Sequence, residues 1–107
     1  MLRQSAPLLL LAMALLMPAA DLRSPGVERG RSLVESNCSG CHAVGRADAS
    51  PTPDAPPLRD LHQRYPVEFL AEALAEGLTT GHPGKPVFKF EAWEVDDIID
   101  YLKSLER

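Results

Sequence analysis

The sequence predicts a small all-α domain, because it contains helix-like segments and no stretch that alternates apolar and polar residues as a half-buried strand would. Near the C-terminus, apolar residues recur at helical spacing: Val95, Ile98, Ile99, Leu102 and Leu105. Near the start, one helical face is formed by Val27, Gly30, Leu33 and Val34. With 107 residues, the chain is long enough for one domain.

Local signals place the ends of these helices. Ser24 and Pro25 are typical of an N-cap and a first helical position, so the first helix is expected to run from there to about Asn37. A second helix is expected to begin near Pro66 and to end at Gly77, a residue suited to a C-terminal cap. Its inner face is expected to hold Val67, Leu70, Ala73 and Leu74.

Two loops separate the helices. Residues 48–57 contain four prolines, which exclude regular helix and central strand there. Residues 78–90, which contain two glycines and two prolines, are expected to form a second loop. The last helix begins in an acidic cluster and carries Lys103 near its end, an arrangement that complements the helix dipole.

The N-terminal stretch has the features of a secretory signal peptide. Arg3 is the only charge before Asp21, and residues 7–17 form an almost unbroken apolar run that is followed by small residues at positions 18–20. A membrane span needs ~20 apolar residues. The run from Ala6 to Ala20 is short for that, and Pro18 interrupts it.

We therefore expect residues 1–20 to be a signal peptide that is cleaved after Ala20, with cleavage after Ala19 as the alternative. The remaining domain, residues 21–107, is expected in the periplasm or an equivalent exported compartment. Removing Arg3 changes the formal net charge from −4 to −5. An acidic domain lacks the basic face that nucleic-acid binding needs, and it favours partners with basic patches.

Both cysteines of the chain lie in the run Cys38-Ser-Gly-Cys41, and His42 follows at once. Two thiols at this spacing can add to the two vinyl groups of one haem, and the adjacent imidazole can bind its iron. Three alternatives are a redox dithiol, a zinc site completed by His62 or His82, and a disulfide. The first lacks a βαβ context, the second matches no familiar spacing, and the third leaves the adjacent imidazole unexplained.

Further features accompany this motif. Gly30 stands eight residues before Cys38, Pro56-Pro57-Leu58 follows the motif, and residues 98–103 read Ile-Ile-Asp-Tyr-Leu-Lys. Together they resemble the small monohaem class I cytochromes c over nearly all of residues 25–107.

The resemblance implies a fold of three to four helices around one covalently attached haem c. It implies that Gly30 lies where the first and last helices cross, with Tyr101 packed beside it. It also implies that the carbonyl of Pro56, or less favourably of Pro57, accepts a hydrogen bond from the proximal imidazole of His42.

The sequence departs from the family at the second axial ligand. Family members often read Gly-His-Pro-x-Met-Pro where residues 81–86 of this chain read Gly-His-Pro-Gly-Lys-Pro, so Lys85 stands at the position of the Met. Every Met of this chain lies at or before residue 17. Register favours Lys85 as the iron ligand. His82, His62, and water or no sixth ligand remain the alternatives.

The expected function is electron transfer with redox proteins as donor and acceptor. We expect a monomer that is not an enzyme and takes no small-molecule substrate. Because a nitrogen donor favours ferric iron, the potential should lie well below that of a Met-ligated relative. Two alternatives are a ligand-binding haem protein, such as a gas sensor or a peroxidase-like domain with an open sixth position, and an electron-relay subunit of a larger oxidoreductase.

Overall fold

The computed structural model describes residues 24–78 and 89–106, and all regular structure within these ranges is helical. The α-helices are α1 (Pro25–Cys38), α2 (Leu70–Glu76) and α3 (Ala92–Ser104), and two 3-10 helices span Leu58–Gln63 and Val67–Phe69. The all-α prediction is confirmed. No helix in the described ranges combines the length and the apolar character that a membrane span requires. The predicted signal peptide lies outside the described residues.

Helices α1 and α3 form the main packing contact, and they meet at Gly30. A Cβ atom on Gly30 would lie 1.9 Å from the backbone oxygen of Asp97 and 3.0 Å from Cβ of Tyr101. Only a residue without a side chain permits this approach. The predicted crossing and the neighbouring position of Tyr101 are confirmed.

The core combines the apolar faces of α2, α3 and the 3-10 helices with Val34 of α1. Its buried members are Val34, Leu58, Leu61, Val67, Leu74, Val95, Ile98, Ile99, Tyr101, Leu102 and Leu105. Every residue of the predicted α3 face is buried, at roughly 1.5–3 kcal/mol for each large apolar side chain. The faces predicted for the other helices are only partly buried, since Val27, Leu33, Leu70 and Ala73 retain exposure.

The helix ends follow the predicted local chemistry. The Ser24 side chain accepts the N–H of Val27 at 3.3 Å, as an N-cap does. Gly77 ends α2 with a φ of 122°, which favours glycine, and its N–H donates to the Ala73 carbonyl at 2.8 Å. The N–H of Glu91 donates to the side chain of Glu94 at 2.9 Å and so satisfies a donor at the start of α3.

Two details differ from the predictions. The expected second helix begins as the 3-10 helix Val67–Phe69 and becomes α-helical only at Leu70. The 3-10 helix Leu58–Gln63 was not predicted. Six residues are too few to show a periodic pattern, and two prolines directly precede the segment.

An ion pair supports the α1–α3 contact from one side. The guanidinium of Arg29 donates to the carboxylate of Asp97 through Nε at 2.7 Å and through Nη2 at 3.3 Å. Asp97 is buried, whereas the side chain of Arg29 remains 57% exposed. The hydrogen bond to Asp97, and then its charge, raise the pKa of Arg29.

This difference in exposure predicts which partner matters more. Arg29→Met would leave a buried carboxylate without its cation, whereas Asp97→Asn would leave an arginine in contact with water. We therefore expect Arg29→Met to lower the urea midpoint more than Asp97→Asn at neutral pH. Arg31→Met, at an exposed ion pair on the same helix, is the control and should change the midpoint little. The reverse order of the first two variants would contradict this interpretation.

Candidate functional site

The cysteine motif forms a tight turn at the end of α1. Cys38 is the last residue of the helix, and its carbonyl oxygen accepts the N–H of Cys41 at 3.3 Å and the N–H of His42 at 3.0 Å. No disulfide joins the two cysteines, and both are half-buried. The turn therefore presents two thiols and one imidazole within a short, hydrogen-bonded stretch of backbone.

The surroundings of Cys38 do not suit a redox dithiol. Burial raises the pKa of the Cys38 thiol to about 11, whereas a reactive redox cysteine has a lowered pKa. The helical fold around the motif also lacks a βαβ unit within residues 24–78 and 89–106.

The zinc alternative also gains no support from the structure. In the part of the chain that is described, no group of three or more His, Cys, Asp or Glu side chains is arranged to hold a metal ion.

The ring of His42 is oriented by the loop that follows the motif. Its Nδ1 lies 2.7 Å from the carbonyl oxygen of Pro56. A carbonyl oxygen can only accept, so the proton of the neutral imidazole resides on Nδ1 and the lone pair on Nε2. Such a bond fixes the tautomer and the ring orientation of a metal-ligating histidine and raises its basicity. The acceptor is the first of the two prolines that the sequence offered.

Of the candidate distal ligands, only His62 lies among the described residues. Lys85 and His82 lie outside the described ranges. His62 belongs to the 3-10 helix Leu58–Gln63, where it is exposed.

Sequence reasoning missed several residues around the motif. Asp48 and Ser50 accept backbone N–H groups from the residues after His42, and the Tyr101 hydroxyl donates to the carbonyl of Val44. Asp and Ser in a loop often accept backbone N–H groups of nearby residues, and that tendency was the available signal.

The residues present fit a covalently attached haem. Two thiols in one turn match the two vinyl groups of the porphyrin, and the adjacent imidazole has its Nε2 lone pair set for iron by the Pro56 contact. Half-buried apolar side chains that pack against the core include Leu33, Val44, Tyr65, Leu78 and Phe90. They offer apolar surface that a large cofactor can cover.

Comparison with known proteins gives consistent results. The family model for cytochrome c matches residues 27–106. Cytochrome c-552 of Bradyrhizobium diazoefficiens is 28% identical over 95 residues, which cover 89% of each chain. A cytochrome c-553-like protein of Synechocystis is 31% identical over 78 residues, which cover 73% of this chain and 68% of that relative. No solved structure matches significantly.

Proposed function

Because this chain belongs to the cytochrome c family and is an electron-transfer protein with covalently bound haem c, we propose that it is an exported single-electron carrier whose distal iron ligand is Lys85. In this proposal Cys38 and Cys41 hold the cofactor through thioethers, and His42 supplies the proximal nitrogen. The cofactor supplies the one-electron couple.

The hydrogen bond from His42 to Pro56 is the main observation that supports the proposed haem site. At 2.7 Å it fixes the imidazole directly after the second cysteine and directs its Nε2 lone pair outward from the loop contact. An acyl or phosphoryl transfer site would need a nucleophile or base near substrate. Electron transfer needs only a held cofactor with a fixed axial ligand.

Lys85 is favoured as distal ligand by its register in the loop and by the lack of any Met after residue 17. A free lysine has a pKa of ~10.4, so its amine must lose a proton to bind. Ferric iron would compete with that proton, and desolvation would also favour the neutral amine. His82 and His62 are the alternative nitrogen ligands.

Export is supported by the signal-like residues 1–20, and the location proposed is the periplasm or an equivalent compartment. The acidic balance of residues 21–107 favours redox partners with basic docking surfaces.

Covalent attachment is tested by extraction. Protein purified from a host competent in cytochrome maturation should be red and should keep its colour after acid-acetone treatment. Colourless protein, or pigment that is extracted, would overturn the proposed function.

Amine ligation by Lys85 is tested by ferric ligand-field spectroscopy of Lys85→Ala. We expect the substitution to change the ferric spectrum completely and to raise the affinity of the reduced protein for carbon monoxide, because a coordination position becomes available. Lys89→Ala, which makes the same substitution at an exposed position, is the control. An unchanged ferric spectrum in Lys85→Ala would exclude amine ligation.

The same proposal sets the direction of the redox potential. A nitrogen donor stabilises ferric iron relative to a thioether, so the wild-type potential should lie well below that of Met-ligated relatives. A high, Met-like potential in a redox titration would contradict this. Rapid stoichiometric carbon monoxide binding by the wild type would favour the ligand-binding alternative.

A further inference from the structure

We propose that Ser50 and Asp48 are positioning residues for the haem ligand His42, because their side chains hold the backbone that fixes its hydrogen bond to Pro56. The inference rests on the proposed function, since it assigns their effect to a haem bound at this imidazole.

The loop that carries Pro56 is attached to Ala43 at both of its ends. The side chain of Ser50 accepts the N–H of Ala43 at 2.9 Å, and the N–H of Leu58 donates to the carbonyl of Ala43 at 3.0 Å. Ala43 follows His42 directly and is fully buried. Residue 43 is therefore the point from which both the imidazole and its acceptor are positioned.

Asp48 holds the next two backbone donors. Its Oδ2 accepts the N–H of Val44 at 3.1 Å, and its Oδ1 accepts the N–H of Gly45 at 2.9 Å. The opposite side of this stretch is held by Tyr101, whose hydroxyl donates to the carbonyl of Val44. The segment lies in no helix, so these side chains supply the partners that a helix would otherwise provide.

Arg59 links Asp48 to the 3-10 helix Leu58–Gln63, which contributes buried residues to the core. Its Nη1 donates to the backbone oxygen of Asp48 at 2.8 Å and lies 3.5 Å from the carboxylate Oδ1 of the same residue. Desolvation acts in the opposite direction, but backbone hydrogen bonds and the charge of Arg59 hold the pKa of Asp48 below its usual value. The carboxylate is therefore ionised at neutral pH and acts as a double acceptor.

Loosening either attachment should weaken the bond between His42 and Pro56. A weaker bond makes the imidazole a poorer electron donor. Ferric iron is then stabilised less relative to ferrous iron, and the potential rises. The bond should also open more often, which exposes the Nδ1 proton to exchange with solvent.

The test uses the haem-loaded full chain and two measurements, the redox potential and the solvent exchange rate of the His42 Nδ1 proton by NMR. Ser50→Ala removes one acceptor, and Asp48→Asn replaces one carboxylate oxygen with a donor that faces a backbone N–H. Each variant should raise the redox potential. Each should also speed solvent exchange of the His42 Nδ1 proton about fivefold, the change that loss of one hydrogen bond typically gives. If Ser50→Ala does not load haem, Asp48→Asn, which keeps one acceptor oxygen, decides the question.

Two controls separate positioning from charge and from folding. Ser50→Thr keeps the hydroxyl and should restore wild-type behaviour. Asp54→Asn removes the same charge from an exposed position in the same loop and should leave the exchange rate unchanged. Haem-loaded Ser50→Ala and Asp48→Asn with wild-type exchange and potential would overturn the inference, as would equal shifts in Asp54→Asn. Failure of the wild-type chain to retain haem would instead overturn the proposed function.

Discussion

Gly30→Ala is expected to destabilise the domain by about 3 kcal/mol, because the added methyl group has no room at the α1–α3 crossing. The new Cβ would lie 1.9 Å from the backbone oxygen of Asp97 and 2.5 Å from its carbonyl carbon. Backbone atoms cannot move aside as a flexible side chain can, so the two helices must separate. Urea unfolding of the haem-loaded protein, followed by far-UV circular dichroism, measures the effect.

Gly40→Ala is the matched control for this prediction. It makes the same substitution in the same half of the chain, but a Cβ at Gly40 would lie within 4 Å of no protein atom beyond its two chain neighbours. Its unfolding midpoint should stay close to that of the wild type. If Gly30→Ala unfolds at the wild-type midpoint as well, the close approach of α1 and α3 is not what stabilises the fold.

The last helix shows how much of the fold the sequence could predict. Its apolar residues repeat over a full helix length, and tertiary packing buries all of them, so pattern and structure agree. The position of Gly30 at the helix crossing was predicted only through the family resemblance, because helical spacing does not show which residue meets a second helix. The 3-10 helix Leu58–Gln63 was missed because short helices are set by neighbouring contacts rather than by their own periodicity.

The candidate site divides in the same way. Cys38, Cys41 and His42 are close together in the sequence, and the chemistry of haem attachment depends on that closeness. The sequence alone could therefore identify this part of the site. The roles of Ser50 and Asp48 depend on which backbone N–H groups the loop brings to them. Many loops contain Ser and Asp, and only the folded backbone distinguishes acceptors from solvent-exposed residues.

The double substitution Cys38→Ala with Cys41→Ala is expected to convert a covalent haem protein into one whose pigment is completely extracted by acid-acetone. Each thioether forms when a thiol S–H adds across one vinyl group, so removal of both thiols removes every covalent link. Either single variant keeps one thioether and should keep its colour. Ser39→Ala alters an exposed side chain in the same turn and should retain all pigment.

Loss of the thioethers should also change how stability depends on concentration. In the wild type the cofactor stays attached when the chain unfolds, so Tm should not depend on free haem. In the double variant the cofactor can dissociate, and a ligand that binds only the folded state stabilises it by mass action. The Tm of the double variant should therefore rise with added haem, while that of Ser39→Ala should not. A double variant that retains pigment after extraction, or whose Tm ignores added haem, would show that the two cysteines are not the attachment points.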